Sequence, residues 1–133
     1  MKLSLGITIV VALANLSLSG PSPAQQANPP TPTTRILAIG TINPGVDPAA
    51  VQSILPHEVR ETVQLYLDGK IDQWYSLEDR PGVVFILNMT DTQAAHAVLE
   101  ELPLGKAHLM TFQLTPIGPL NPLRQLLVPA VPH

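Results

Sequence analysis

A chain of 133 residues with 45% apolar residues has room for one folded domain and is too apolar to be disordered by default. Its 7 Lys+Arg against 10 Asp+Glu give a net charge of −3, which argues against the clustered basic face that nucleic acid requires. The absence of cysteine excludes a disulfide framework, a thiolate nucleophile and a thiolate metal site.

Met1-Lys2 is a short positive start, and Leu3 to Leu18 is mostly apolar but broken by Ser4, Thr8, Asn15 and Ser17. A membrane-spanning helix needs about 20 consecutive apolar residues, so this shorter and more polar run reads instead as a secretory leader. Ser22-Pro23-Ala24 places small residues at a cleavage site, which predicts a signal peptide over 1–24 and a periplasmic or secreted protein. Residues 25–34, rich in Pro, Thr and Gln, have no apolar periodicity and read as a tether. The domain is expected over 35–119, followed by a tail over 120–133.

Within the domain the pattern is strand, helix, strand, strand, helix, strand. Arg35 to Ile42 is rich in β-formers and stops at Asn43-Pro44-Gly45. Asp47-Pro48 predicts an N-cap with Pro at the first helical position. Apolar residues then recur four apart at Val51, Leu55, Val59, Val63 and Leu67, which predicts one buried helical face. Because Pro inside a helix costs about 3 kcal/mol, Pro56 predicts a break: a short turn over 48–54, then the main helix over 56–68, ending at Gly69.

Lys70 to Ser76 predicts a second strand, and Glu78 to Gly82 a hairpin connection. Val83 to Leu87 predicts a third strand, apolar throughout and so buried on both faces. Thr90-x-x-Gln93 reads as a capping box opening a helix with a stripe of Ala95, Val98, Leu99 and Leu102, closed by Pro103 and Gly105. His108 to Thr115 alternates, with Met110, Phe112 and Leu114 on one face and Thr111 and Gln113 on the other. Asn121-Pro122 opens a short tail helix carrying Leu123, Leu126 and Leu127.

Two helices cover one face of a four-stranded antiparallel sheet, leaving an apolar face open. A two-fold dimer, in which the open faces of two copies form a barrel, covers it most economically. The other solution folds residues 120–128 back over the chain's own sheet.

Two stretches resemble a known family, the muconolactone isomerase-like members of the dimeric α/β-barrel superfamily with a ferredoxin-like fold. One is Glu58, with Gly69 eleven residues on, then Trp74 and Tyr75. The other is Ala94-Ala95-His96-x-x-Leu99-x-x-Leu102-Pro103-Leu104, similar to the family's A-x-H-x-x-L-x-x-L-P-L; the closing L-P-L is not demanded by helix chemistry. The likeness runs from about Ile36 to Pro119. It implies an α+β fold, a homodimer and a cofactor-independent isomerase that moves a lactone double bond by proton abstraction and return. It makes Glu58 the expected proton carrier, and Trp74, Tyr75, Arg80 and His96 the expected substrate-binding residues. The family's hairpin histidine has no counterpart, its place being taken by Asp79-Arg80-Pro81-Gly82, where Arg80 is the candidate partner for a substrate carboxylate.

If Pro56 starts the helix, Glu58 lies in its first turn and the dipole lowers its pKa, whereas burial against Trp74 or Tyr75 raises it. The four histidines show no close metal-ligand spacing, and no metal or cofactor is expected. Two functions stay open. One is an isomerase acting on a small lactone or enolisable carbonyl compound; the other is a non-catalytic dimer that binds a small ligand or serves structurally.

Overall fold

The computed structural model describes Gly6 and residues 29–127, save the side chain of Gln125. The predicted leader, apart from Gly6, and the last six residues of the tail lie outside the described residues. The elements in chain order are β1 (Arg35–Ile42), α1 (Pro48–Leu67), β2 (Ile71–Ser76), β3 (Gly82–Leu87), α2 (Thr92–Glu100), α3 (Pro103–Lys106) and β4 (Met110–Ile117), followed by a 3-10 helix (Asn121–Leu127). Among the described residues no helix is long and apolar enough to cross a membrane.

The four strands form one antiparallel sheet in the order β2-β3-β1-β4, which with the helices on one side is the ferredoxin-like α+β arrangement. Register follows from alternation. Ile36, Ala38 and Gly40 of β1 stand opposite Leu87, Phe85 and Val83 of β3, all on the helix side. Leu37 and Ile39 stand opposite Ile86 and Val84 on the other side. On β4, Met110 and Phe112 are buried beneath the helices, while Thr111 and Gln113 face outward. Thr34 extends the edge by donating its N–H to the Ile117 carbonyl at 2.9 Å.

The core is Ile36, Ala38, Ile71, Phe85, Leu87, Ala95, Leu99, Leu102, Leu104, Met110 and Phe112. It lies mainly under α2, α3 and the strand centres. The strand β3 is less enclosed than its composition predicts: Phe85 and Leu87 are buried, but Val84 and Ile86 on the open face are only half-buried. In the tail Leu120, Leu123, Leu126 and Leu127 are exposed, so the described part of the tail does not cover that face.

Three local expectations are corrected. First, α1 is a single 20-residue helix that runs through Pro56. Asp47 caps it by accepting from the Ala49 N–H at 2.9 Å, and Pro48 occupies the first turn as predicted. Pro56 is tolerated because both it and Gln52, whose carbonyl loses its N–H partner, lie on the exposed side. Second, Asp91 rather than Thr90 caps α2, accepting from the N–H groups of Gln93 and Ala94. Third, Pro103 and Gly105 do not simply end the chain's helical run; they open and carry α3. A Cβ at Gly105 would stand 2.8 Å from the Leu99 carbonyl oxygen, so glycine lets α3 fold closely back on α2. Gly69, at φ +76, ends α1 in the left-handed conformation that glycine adopts without strain.

Candidate functional site

The fourfold apolar spacing on α1 does not build a buried stripe. Each step of four residues advances about 40° around a helix of 3.6 residues per turn, so the series winds away from the sheet. Val51 and Leu55 are half-buried, Val59 and Val63 are exposed at 52% and 38%, and Leu67 at 71%. The α1 residue that is buried is Glu58, at 7% exposure, midway along the helix.

Beneath the winding series lies a pocket of about 520 Å³ between α1 and the helix side of the sheet, a volume in the range of small-molecule sites. Its walls are Val51, Leu55, Val59 and Val63 of α1, Trp74 of β2, Val83 and Phe85 of β3, Ile42 of β1, Met110 of β4 and Leu104 of α3. Among the described residues, Gln52, Thr62 and Ser76 are its uncharged polar side chains, and Glu58 is its one ionisable group. Trp74 is held flat by Tyr66 of α1, the rings 4.2 Å apart at 19°.

Glu58 is fixed from below. Its Oε2 accepts the Leu104 N–H at 2.7 Å, a buried bond spanning 46 positions of sequence. Among the described residues no bond engages Oε1, and no buried side-chain oxygen lacks a partner, so Oε1 retains some exposure, and Glu58 lines the pocket. Thr62 donates to the Glu58 carbonyl at 2.9 Å, and its side chain lines the pocket a turn further along. Burial pushes the Glu58 carboxyl above its ordinary value of 4.5. The Leu104 hydrogen bond pulls it down by less, Glu61 adds a smaller rise, and His57 a smaller fall. The first-turn dipole invoked from the sequence does not act here, because α1 begins ten residues before Glu58.

Of the residues expected to bind substrate, Trp74 alone is brought to Glu58's pocket. Tyr75 points to the opposite face of β2, 58% exposed and donating its hydroxyl to Gln73 at 2.7 Å. Arg80 belongs to the hairpin, pairs with Asp79 at 2.6 Å and borders a second cavity, of about 530 Å³, on the far side of the sheet with Ile39, Thr41 and Gln113. His96 stands on the outer side of α2, facing Glu100 at 3.6 Å. These three do not reach the pocket, because strand alternation and helical phase turn them elsewhere.

The residue that sequence reading missed is Leu104, whose backbone N–H holds the carboxylate. Its signal was the L-P-L run, which helix chemistry does not require. Among the described residues no three His, Asp or Glu side chains gather as a metal site.

The family described as muconolactone delta-isomerase matches residues 38–121. A crystal structure of muconolactone isomerase resembles this fold with a TM-score of 0.51 at 16% identity, covering 62% of this chain and 86% of that one. That likeness is one of fold. No curated protein matches the sequence.

Proposed function

We propose that this chain, which belongs to the muconolactone delta-isomerase family, is a cofactor-independent isomerase in which Glu58 carries a proton between two carbons of a small lactone or other enolisable carbonyl compound. The observation that carries the reading is Glu58 itself. Among the described residues it is the one ionisable group lining the pocket, and it is anchored there through Oε2.

The chemistry follows from that geometry. As carboxylate, Glu58 removes a proton from a carbon conjugated with a carbonyl group. The C–H electrons enter the conjugated system and give an enolate, while Glu58 becomes the neutral acid. The same proton then returns to the far end of the conjugated system, so the double bond moves and the composition is unchanged. A raised pKa serves both halves, since it makes the carboxylate a better base and keeps the acid form within reach. The walls are mostly apolar and offer few groups that could take the carried proton. Gln52 and Ser76 are the side chains able to donate a hydrogen bond to the enolate oxygen.

The same reading assigns the open sheet face to a second copy. Leu37, Ile39, Val84 and Ile86 form an apolar stripe there, and a two-fold pairing would cover it. Export through cleavage after Ala24 also belongs to the proposal and is checked by the N-terminal sequence and mass of protein recovered from the cell envelope or medium.

The test is solvent exchange. The full chain is incubated in deuterated buffer with muconolactone and, separately, with its methyl ester, and followed by proton NMR. Deuterium uptake or double-bond migration that is lost in Glu58→Gln supports the proposal. No exchange above the buffer rate with either compound overturns it in favour of a binding or structural role.

A further inference from the structure

The charges around the pocket are distributed unevenly. Glu58 is buried, and no Lys, Arg or His among the described residues lines the cavity with it. The cations are engaged or turned elsewhere. Arg35 pairs with Asp72 at 3.5 Å, Arg80 with Asp79 at 2.6 Å and Lys106 with Glu101 at 3.2 Å. Lys70 borders a separate groove between α1 and α2, and Arg60 stands on the outer side of α1. The Leu104 N–H is already taken by Glu58.

Resting on the proton-transfer reading, we infer that the pocket selects substrates without a carboxylate: small, uncharged, enolisable lactones or esters rather than the anionic lactone acid after which the family is named. A base must be ionised to act, and a second carboxylate brought beside it would meet like charge with no described cation lining the cavity to offset it. Like charges a few ångströms apart in such surroundings repel strongly, and burying an unpaired anion adds its own desolvation cost. An uncharged ring meets neither cost. It gains the apolar walls and the flat face of Trp74, which Tyr66 holds in place.

The chain's one Trp lies in this wall, so its fluorescence reports occupancy directly, independently of catalysis. The full chain is titrated at neutral pH with muconolactone and with its methyl ester, which differ in charge and share the ring. The ester is expected to bind at least about tenfold more tightly, from the Coulomb term alone. In Glu58→Gln, which retains an acceptor for Leu104, that preference is expected to shrink to within about threefold. In Ser76→Arg, a cation placed on the pocket wall, it is expected to shift toward the acid. Should the acid bind wild type as tightly as the ester, or should neither perturb Trp74, the inference is overturned. Preferential ester binding without deuterium exchange of either compound would instead sink the proton-transfer reading and leave charge selection standing.

Discussion

Phe85 and Ile86 are neighbours on β3, yet they face two different environments. Phe85 is 3% exposed and forms part of the pocket wall under α1, where a buried carboxylate is the single ionisable group. Ile86 is half-buried in a stripe with Leu37, Ile39 and Val84, flanked by Thr111, Gln113 and Tyr75, with no helix over it. Both faces of the sheet are apolar at their centre. What separates them is cover: the helix side is roofed and holds a buried carboxyl group, whereas among the described residues the open side holds none that is buried. Apolar content therefore does not single out a candidate site in this chain. A carboxyl group placed under cover does.

The largest expected effect falls on the roofed side. Glu58→Gln keeps a partner for the Leu104 N–H while removing the base, and is expected to lower turnover by about 10²–10⁴-fold with little loss of stability. Loss of turnover accompanied by unfolding would mean that the carboxylate is structural. Next, Phe85→Ala is expected to cost about 3 kcal/mol or more in chemical denaturation, with Ile86→Ala costing the monomer clearly less. Equal costs for the two would erase the contrast between the faces, unless paired copies bury Ile86 as deeply. Ile86→Asp separates these cases: light scattering is expected to show a smaller assembly than wild type, with an unchanged circular dichroism spectrum. An assembly of unchanged size would remove the open face as the interface.

The smallest effect concerns the roof itself. Pro56 leaves the Gln52 carbonyl without its helical partner, so Pro56→Ala is expected to stabilise the fold by about 1–2 kcal/mol. This is less than the full cost of a helix-interior proline, because losing Pro also loosens the unfolded chain. An unchanged or lower denaturation midpoint would contradict the view that Pro56 is merely tolerated.

Much of the fold was legible from local chemistry. Asp47-Pro48 started α1, Gly69 ended it, and the alternation of Met110, Phe112 and Leu114 placed β4 correctly on the core. Pro56 misled, because its cost depends on whether the carbonyl it orphans is buried, and that is a tertiary fact. The series Val51 to Leu67 misled for a geometric reason, since steps of four drift round the helix and came to line a cavity. Glu58 was legible as a candidate, but its burial was not: it depends on α3 folding back to bring Leu104 within 2.7 Å from 46 residues away. His96 and Arg80 matched the family's pattern or offered a candidate charge, and their solvent-side positions beside Glu100 and Asp79 follow from phase and hairpin position. Sequence spacing indicated which residue types were available, and packing decided which of them met.

The most direct test of Glu58 as proton carrier is a carbon NMR titration of its carboxyl, assigned by the signal's absence in Glu58→Gln, set beside the pH dependence of kcat/KM. Folded-state burial raises the pKa above 4.5, so the folded protein holds more protons than the unfolded chain between 4.5 and the raised value. Stability contributed by the neutral form is therefore complete below 4.5 and falls as pH rises through that window, while the base, and with it the rate, grows. The expected result is a midpoint above 4.5 that coincides with the rise of kcat/KM. A midpoint at or below 4.5, or a rate that rises at an unrelated pH, would contradict the account.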